Sequence, residues 1–291
     1  VVAMFFVVQR SHSVSVLPAV GSSMPALSRI PLEAVEDAGG GCLRLVCAPA
    51  SIVAPVPGQF YMVRGPWEAD PLLPRPFSVA RFRTVKDEQV QLEFLLRIIG
   101  RGTRLLGTAH EGIELDILGP LGVGFEQPPG DSAWMVAGGI GIAPFPALTD
   151  AIATPTRTLS LLVGARTEAE IPGLKDFEAN LTGGVEIATD DGSAGFAGTV
   201  VDLLASRLDR ASDQTPSQVY VCGPHAMMEA AAAVCRDAGV PCSVSLEAPM
   251  GCGMGTCRGC VIRTFRNTNF TICTDGPVTD ANVIWSEQNS Q

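Results

Sequence analysis

Positive charge is scarce in this sequence of 291 residues, in which 20 lysines and arginines are outnumbered by 30 aspartates and glutamates. The formal net charge of −10 is unfavourable for binding a polyanion, so nucleic acid is not expected as a partner.

Long apolar runs are also missing. The apolar start, Val1 to Val8, is far shorter than the ~20 residues needed to span a bilayer, and later hydrophobic stretches are interrupted by charges or glycines. The sequence therefore predicts no membrane span.

The cysteine count does not fit a disulfide framework. The chain has nine cysteines, an odd number, and four of them lie within residues 252–273. Clustered thiols in a chain of this size indicate a reducing environment and a metal centre. We therefore expect a cytoplasmic protein with a metal site near its carboxyl end.

Apolar residues are plentiful, at 46% of the chain, which is enough to fill the cores of two domains and a small appendage. We predict an extension of uncertain status over residues 1–27 and a barrel domain over residues 28–128. They are followed by an α/β domain over residues 129–243 and a metal-binding segment over residues 244–291. The first internal boundary rests on Gln127-Pro128-Pro129-Gly130-Asp131, which cannot easily continue a strand or a helix.

Two different patterns predict the two domains. From about Ala26 to Phe125, short apolar runs such as Val90 to Leu96 alternate with period two and are separated by Gly and Pro, which indicates a closed antiparallel β-barrel. After residue 131, apolar strands are each followed by a loop and usually by a helical candidate, which indicates parallel βαβ units. The clearest helix is expected over the alanine-rich stretch Ala226 to Ala238. The fold class is thus a β-barrel followed by an α/β domain with a parallel sheet.

The strongest motif is the set of cysteines at positions 252, 257, 260 and 273. Cys252, Cys257, Cys260 and Cys273 have the spacing C-x4-C-x2-C-x12-C, which is the plant-ferredoxin type of [2Fe-2S] ligation with a shortened final gap. Intervening glycines let the backbone turn tightly and direct N–H groups at sulfur. The alternative is a structural zinc site, although such sites more often contain two short C-x2–4-C knuckles. The isolated Cys42, Cys47, Cys235 and Cys242 are expected to be small core or surface residues.

Two further motifs lie in the barrel half. Arg75-Pro76-Phe77-Ser78 enters an apolar strand, where the arginine could pair with a pyrophosphate and the serine hydroxyl could reach a flavin ring. Leu95-Leu96-Arg97 ends another strand, and Gly102-Thr103 could offer backbone N–H groups to a phosphate. Either motif alone is equally well explained by solvated surface arginines and an ordinary turn.

A nucleotide motif opens the second domain. Val136-Ala137-Gly138-Gly139-Ile140-Gly141-Ile142-Ala143-Pro144 predicts a strand, a glycine turn that a pyrophosphate can approach closely, and a helix start. Cys222-Gly223-Pro224 ends another strand, so these residues are expected at the carboxyl edge of the sheet, where ligands bind. Asp190-Asp191-Gly192-Ser193 either lines the dinucleotide or forms a turn. The acidic residue expected about 20 positions after the glycine turn is absent from Leu161 to Arg166, so NAD and NADP are not distinguished.

Taken together, these motifs resemble the ferredoxin reductase superfamily, which combines an R-x-[YF]-S barrel with a G-G-x-G-x-A-P nucleotide domain. The stretch from Val244 through Cys260 and the tail Cys273-Thr274-Asp275-Gly276-Pro277-Val278 are similar to the electron-transfer subunits of class 1B dihydroorotate dehydrogenases. The resemblance covers about residues 28–285. Thr279 departs from it, since phenylalanine is usual there.

The resemblance implies three cofactors and a partner. FAD would contact Arg75 to Ser78, Leu95 to Arg97 and Gly102-Thr103, and Cys222 would lie near the nicotinamide ring as the catalytic residue. The partner would be a catalytic FMN-containing dihydroorotate dehydrogenase subunit that sends electrons through the cluster and FAD to NAD⁺ for pyrimidine biosynthesis, in a heterotetramer. The combination is chemically consistent, because nicotinamide exchanges two electrons as hydride, a [2Fe-2S] centre moves one at a time, and flavin converts between the two.

Two other functions remain open at this level. The chain could be the reductase subunit of another iron–sulfur flavoenzyme linked to NAD(P)H, of the hydrogenase, sulfide dehydrogenase or transhydrogenase type. It could also be a zinc-stabilised binding module without enzymatic activity. The chain shows no candidate residues for abstracting a proton from dihydroorotate, so that step is assigned to the partner.

Overall fold

The computed structural model of the chain describes residues 25–67, 70–85, 89–177, 180–210 and 215–285. The strands are β1 (Ala26–Gly39), β2 (Cys42–Cys47), β3 (Phe60–Arg64), β4 (Arg75–Thr84), β5 (Val90–Arg97), β6 (Glu114–Leu121), β7 (Ser132–Gly138), β8 (Thr158–Ala165), β9 (Val185–Thr189), β10 (Phe196–Ala197), β11 (Gln218–Cys222), β12 (Cys242–Ser245), β13 (Val261–Arg263), β14 (Asn269–Thr271) and β15 (Val278–Asp280). The helices are α1 (Arg101–Gly107), α2 (Phe145–Ile152), α3 (Val200–Arg210), α4 (His225–Asp237), α5 (Ile272–Asp275) and α6 (Ala281–Ile284).

The first six strands form a closed barrel in the order β1-β2-β5-β4-β3-β6, with antiparallel pairing throughout. Its interior is filled by apolar side chains, including Tyr61 and Phe94, whose rings meet edge to face with centroids 5.9 Å apart. The predicted antiparallel barrel is confirmed. The predicted extension over residues 1–27 lies outside the described residues up to position 24, while Ala26 and Leu27 already pair with β6.

The α/β domain is built on a seven-stranded sheet in the order β10-β9-β8-β7-β11-β12-β15. All neighbours are parallel except β12 and β15, which are antiparallel. Along β7, Trp134 and Val136 share a core with helices α3 and α4, while Met135 packs on the opposite face with α2. A parallel sheet covered on both faces explains why its strands are almost continuously apolar. The predicted helix over Ala226 to Ala238 is confirmed as α4, which lies one residue earlier.

The cysteine-rich segment is joined to both larger units. Strand β12 crosses the predicted boundary between residues 243 and 244, and β15 returns the chain to the sheet beside it. On the barrel side, the amide of Val123 donates to the carbonyl of Gly276 at 2.6 Å. Gly253 packs so closely on the barrel that a Cβ there would lie 2.6 Å from Cγ of Met62. The cysteine loop therefore lies against the end of the barrel.

Further bonds connect the barrel and the segment after it to the α/β domain. The hydroxyl of Tyr220 donates to the carbonyl of Glu126 at 2.7 Å, and Arg81 on β4 pairs with Asp150 on α2 at 3.0 Å.

Within the described ranges, no helix is both long and apolar enough to cross a membrane.

Candidate cofactor cavities and cysteine cluster

A cavity of about 670 Å³, here called the barrel cavity, opens where the barrel meets the α/β domain and the segment after β12. Every residue predicted for the flavin site lines it: Arg75, Pro76, Phe77, Ser78, Leu95, Leu96, Arg97, Gly102 and Thr103. Ile140 reaches it from the α/β domain, and Met250 and Pro277 reach it from the cysteine-rich segment. Its size lies within the ~300–1,000 Å³ typical of ligand sites.

Arg75 is fixed at the entrance to strand β4 by its neighbours. One of its terminal nitrogens donates to the carbonyl of Leu73, and its guanidinium faces Gly102. A Cβ added to Gly102 would lie only 2.7 Å from Nε of Arg75. Glycine is thus required at position 102 for the guanidinium to keep this place at the cavity wall.

Arg97 ends strand β5 and lines the barrel cavity, but its bonds differ from those of a simple anion-binding arginine. Its Nη2 donates to the carbonyl of Gly40 at 3.1 Å and to the carbonyl of Glu170 at 3.3 Å. Its Nε is buried and has no hydrogen-bond partner among the described residues. Arg97 therefore joins the barrel to the α/β domain and keeps one donor available, and an unsatisfied buried donor is what a bound acceptor would complete.

Thr103, predicted with Gly102 to offer backbone N–H groups to a phosphate, lies in the first turn of helix α1. Its hydroxyl oxygen accepts from the amides of Ile99 at 3.0 Å and Gly100 at 3.1 Å. Thr103 therefore shapes the turn that leads from β5 into α1 and brings Gly102 to the cavity.

A second cavity of about 740 Å³, here called the sheet cavity, lies at the carboxyl ends of strands β7, β8 and β11. Each glycine or proline predicted for the nucleotide site lines it: Gly138, Gly139, Gly141, Gly223 and Pro224. Ligands of open parallel sheets bind in this position.

The glycines of the sheet cavity allow two strand ends to approach closely. A Cβ on Gly141 would lie 2.2 Å from the carbonyl oxygen of Cys222, and one on Gly138 would lie 2.5 Å from Sδ of Met227. Gly223 has a φ of 157°, which a side chain would disfavour. The glycine turn and the Cys222-Gly223-Pro224 turn therefore form one packed wall.

The Asp190 to Ser193 stretch combines both interpretations that the sequence left open. Asp190 lines the sheet cavity, whereas the carboxylate of Asp191 accepts from the amide of Ser193 at 2.9 Å and from its hydroxyl at 2.6 Å. These hydrogen bonds hold the pKa of Asp191 below its usual value. One aspartate faces the cavity and the other stabilises the turn.

Cys222, the predicted catalytic residue, lies behind this wall. Its side chain is 2% exposed, and it is absent from the lining of both cavities. Burial, and secondarily the charge of Glu247, raises the pKa of the Cys222 thiol well above its ordinary value, so the group is a neutral thiol. Direct participation of this sulfur as a thiolate is not supported by its surroundings.

Glu247 is a site residue that the sequence analysis missed. Together with Arg97 and Ile140 it lines both cavities, and it is therefore located where they meet. Its side chain is accessible to solvent through the cavities, yet surrounding protein atoms desolvate it, which raises the pKa of the carboxyl group. Its position two residues after strand β12, at the ligand-binding edge of the sheet, was the signal that could have revealed it.

The structure brings the four predicted cluster cysteines into one loop region. Cys260 and Cys273 are buried, Cys252 is half-buried and Cys257 is exposed. Cys252 and Cys257 are neighbours, as are Cys260 and Cys273, and Cys252 is also close enough to Cys273 to influence it electrostatically. All four thiols are thus near one another.

Backbone amides point at these sulfurs, as the glycine-rich spacing predicts. The amide of Gly255 donates to Sγ of Cys273 at 3.1 Å, and the amides of Met254 and Cys257 each donate to Sγ of Cys252 at 3.4 Å. In the part of the chain that the structure describes, no three His, Cys, Asp or Glu side chains converge tightly enough to hold a single metal ion. Four thiols with N–H donors to sulfur fit an iron–sulfur cluster.

Comparisons with known protein families agree with this geometry. Residues 247–284 match the iron–sulfur cluster binding domain of dihydroorotate dehydrogenase B, and residues 135–233 match the oxidoreductase NAD-binding domain. The first match contains all four cluster cysteines and Glu247, and the second contains the glycine turn and Cys222-Gly223-Pro224. The iron–sulfur interpretation is therefore favoured over the zinc alternative.

Two solved structures illustrate the fold. The structure of NADH-dependent reduced ferredoxin–NADP oxidoreductase is 25% identical, with a TM-score of 0.74 over 88% of this chain and 89% of that chain. The ferredoxin NADP⁺ reductase from Neisseria gonorrhoeae with bound FAD and NADP is 19% identical, with a TM-score of 0.56 over 73% of this chain and 92% of that chain, which shows a shared fold alone. The ferredoxin-reductase-like architecture is confirmed.

Relatives of similar length are more informative about the family. The electron transfer subunit of dihydroorotate dehydrogenase B (NAD(+)) from Desulforamulus reducens is 38% identical over 79% of this chain and 87% of that relative. The subunit of the same name from Bacillus caldolyticus is 37% identical over 76% of this chain and 84% of that relative. With this identity over most of both lengths, the chain belongs to the family of electron transfer subunits of dihydroorotate dehydrogenase B (NAD(+)).

Proposed function

We propose that this chain carries electrons from a catalytic dihydroorotate dehydrogenase subunit, through a [2Fe-2S] cluster and FAD, to NAD⁺. One observation carries the proposal: the barrel cavity is bordered on one side by the sheet cavity and on the other by the segment that leads into Cys252. Arg97, Ile140 and Glu247 line both cavities, and Met250 lines the barrel cavity only two residues before the first cluster cysteine. The two cavities and the segment that leads into the cluster cysteines therefore adjoin one another, which supports a continuous electron path.

The barrel cavity suits a flavin dinucleotide. Its wall combines apolar side chains such as Phe77 and Leu96 with the guanidinium groups of Arg75 and Arg97. The apolar part would hold the isoalloxazine, Ser78 would donate to or accept from the ring, and the arginines would bind the pyrophosphate. When bound, FAD supplies the exchange between the two-electron chemistry of nicotinamide and the one-electron chemistry of the cluster.

In the sheet cavity, we propose that Gly138, Gly139 and Gly141 let the NAD pyrophosphate approach the backbone. Gly223 and Pro224 would border the nicotinamide. Cys222 supports that wall from behind as a neutral thiol, and this is a positioning role. Of the three residues that line both cavities, Glu247 carries the carboxyl group, and we propose that it holds a proton there.

The cluster would be held by Cys252, Cys257, Cys260 and Cys273. Thiolate ligands need a reducing compartment, and the nine cysteines of the described chain are all free thiols, which supports a cytoplasmic location. Oxidation of dihydroorotate is assigned to the FMN-containing partner, and we propose a heterotetramer with two copies of each subunit. Pyrimidine biosynthesis is the process that this pairing would serve.

A co-purification assay tests the proposal. The chain is co-produced with the catalytic subunit encoded in the same cell, and the purified complex is assayed for NADH formed from NAD⁺ and dihydroorotate. The matched control is Cys257→Ser, which removes one exposed cluster ligand and leaves the buried core unchanged. We expect the complex with the native chain to form NADH and the complex with the variant to lose at least about 90% of that activity. A complex that forms NADH equally well without Cys257 would contradict the proposed electron path.

If another partner were identified, only the assignment to pyrimidine biosynthesis would be contradicted. If the chain co-purifies with a protein that oxidises a different donor and does not pair with the catalytic subunit, it is the reductase subunit of another iron–sulfur flavoenzyme. Absorbance of flavin and cluster in the isolated chain is required in both cases.

A further inference from the structure

We propose that Glu247 handles the proton of the flavin reaction: it gives up a proton when two electrons that arrive singly in the barrel cavity leave for NAD⁺ as a hydride, and it takes one back in the reverse direction. The inference rests on the proposed function and deepens it by naming the group that moves the proton. It starts from one observation. Among the described residues that line the barrel cavity, Glu247 carries the one carboxyl group, and no histidine or cysteine lines that cavity.

The proposed electron path requires a proton in the barrel cavity. A cluster moves one electron at a time, whereas nicotinamide accepts a hydride, which is two electrons and one proton. In the overall reaction, NAD⁺, two electrons and one proton give NADH. One proton therefore has to enter the cavity for every pair of electrons that passes through the cluster, and one has to leave when the electrons flow the other way.

Glu247 lies at the end of the barrel cavity where a reactive flavin ring is needed. Ile140 and Glu247 line both this cavity and the sheet cavity, and Met250 lines the barrel cavity two residues before Cys252. A ring that exchanges a hydride with nicotinamide and electrons with the cluster has to face both, so it comes within reach of Glu247. The carboxyl group gives its proton there, becomes a carboxylate, and takes another proton from solvent.

The sheet fixes the backbone that leads into Glu247. Ser245 is in parallel register with Cys222 of β11, and the amide of Leu246 donates to the carbonyl of Pro277 at 2.9 Å. The charge of Glu247 contributes to the raised pKa of the Cys222 thiol, so the carboxyl group lies near the end of β11. Glu247 is therefore held at the ligand-binding edge of the sheet.

The surroundings of Glu247 suit a group that carries a proton. Desolvation by protein atoms raises the pKa of its carboxyl group, and among the described residues no ion pair with a cation offsets this effect. Arg97, which lines the same two cavities, donates instead to the carbonyls of Gly40 and Glu170. FAD and NAD bound in the two cavities would shield the carboxyl group further from water, which strengthens its hold on the proton.

The other polar side chains of the barrel cavity do not fit this role. Arg75, Arg97 and Arg101 line the cavity, but guanidinium groups do not lose their protons in proteins. Ser78 and Thr103 carry hydroxyls, which do not ionise near neutral pH, and the hydroxyl of Thr103 is engaged in the hydrogen bonds of its own turn.

The carboxylates of the sheet cavity are also unsuited. Glu170, Asp190 and Asp202 line the sheet cavity and not the barrel cavity. Hydrogen bonds lower the pKa of Asp202, so this group stays ionised at neutral pH, and Glu170 is paired with Arg166 at 2.8 Å. Glu247 is thus the carboxyl group that can serve the flavin and the nicotinamide together.

The test separates the hydride step from the proton step in the isolated chain loaded with FAD and cluster. NADH delivers a hydride without needing a further proton, and ferricyanide then removes two electrons singly, so that one proton has to leave. Stopped-flow absorbance gives both rate constants. In Glu247→Gln, we expect the rate constant of reduction by NADH to stay within about threefold of the native value and that of reoxidation to fall by at least about tenfold.

The pH profile and two further variants provide the controls. In the native chain, reoxidation should accelerate as the pH rises through the pKa of Glu247, because the carboxylate accepts the proton, and Glu247→Gln should lose this dependence. Glu247→Asp keeps a carboxyl group and should keep the dependence. Glu168→Gln removes the same charge from an exposed side chain outside both cavity linings, and should behave like the native chain.

Infrared spectroscopy of the FAD-loaded chain adds a measurement without turnover. A protonated carboxyl group has its own C=O stretching band, which disappears on ionisation. The native spectrum minus that of Glu247→Gln should contain this band, and the band should disappear at a higher pH than for an ordinary glutamate.

Two results would overturn the inference while leaving the proposed function intact. One is reoxidation of Glu247→Gln at the native rate and with the native pH profile, and the other is a difference spectrum in which the band already disappears at the pH of an ordinary glutamate. A native chain that binds no FAD, or whose FAD is not reduced by NADH, would instead overturn the proposed function itself.

Discussion

Gly102 and Arg75 meet across the wall of the barrel cavity, with no space between the glycine α-carbon and the guanidinium group. A Cβ at position 102 would lie 2.7 Å from Nε, 2.8 Å from Cζ and 2.9 Å from Nη2 of Arg75. Real Cβ atoms do not approach other atoms this closely, so a side chain at 102 must displace the arginine. The contact couples two segments that are distant in sequence, β4 and the first turn of α1.

The first prediction follows from this contact. Gly102→Ala is expected to weaken FAD binding by at least about tenfold, because the displaced guanidinium no longer faces the pyrophosphate and charge-assisted hydrogen bonds of this kind contribute about 1.5–3 kcal/mol. The measurement is the dissociation constant of FAD for cofactor-stripped protein, from the quenching of flavin fluorescence.

A double-mutant cycle provides the control for Gly102→Ala. If the alanine acts by displacing Arg75, it should change FAD affinity much less in a chain that already carries Arg75→Ala. Equal losses in the two backgrounds would mean that Gly102 contacts FAD independently of the arginine.

The second prediction concerns Cys222. Because the thiol is buried and its pKa is raised, iodoacetamide is expected to leave Cys222 unmodified in the native chain at about pH 8 and to modify it after unfolding in urea. Peptide mass spectrometry measures the extent of labelling at each cysteine. Rapid labelling of Cys222 in the native chain would mean that the sulfur faces the nicotinamide cavity and is available for chemistry there.

The third prediction concerns removal of iron. The loop from Gly251 to Cys260 has few apolar residues of its own, and its N–H groups donate to cysteine sulfur, so the bound cluster should supply much of its order. After chelation of the iron, amide hydrogen exchange in this loop is expected to accelerate by at least about tenfold. The amides of β7 and β8 are the internal control and should exchange as before, whereas acceleration throughout the sheet would indicate global unfolding.

The sequence predicted the parts of the site that depend on local chemistry. The cysteine spacing singled out four thiols that the structure brings into one loop region, because ligand geometry restricts how far apart the ligands lie along the chain. The glycine turn was also predicted, and the structure brings Gly141 so close to the carbonyl of Cys222 that only glycine fits there. Period-two alternation predicted the barrel, yet it missed β1, whose polar residues and Pro31 interrupt the pattern.

Features that depend on contacts between distant segments could not be predicted. Arg97 was expected to contact FAD, but its bonds to Gly40 and Glu170 arise only when the barrel hairpin meets the α/β domain. Glu247 carries no motif of its own, and its importance comes from two cavities meeting around it.

The last prediction uses the shifted pKa of Glu247. Desolvation raises this pKa above its ordinary value of 4.5, so the folded chain binds the proton more tightly than the unfolded chain does. By linkage, the stabilisation from this proton is complete below the unfolded pKa and is lost as the pH rises through the folded pKa. Glutamine remains neutral at every pH and shows no such loss. Glu247→Gln should therefore gain stability relative to the native chain as the pH rises.

Melting temperatures of the cofactor-stripped native chain and Glu247→Gln, compared between about pH 5 and about pH 8, measure this difference. The variant is expected to gain about 0.5–1 °C relative to the native chain across this interval, which corresponds to a fraction of a kcal/mol for a chain of this size. For Glu168→Gln, a substitution at an exposed position, the difference in melting temperature from the native chain should not change with pH. If Glu247→Gln behaves like Glu168→Gln, the carboxyl group is solvated as in water, and a role for Glu247 in holding a proton between the two cavities would be untenable.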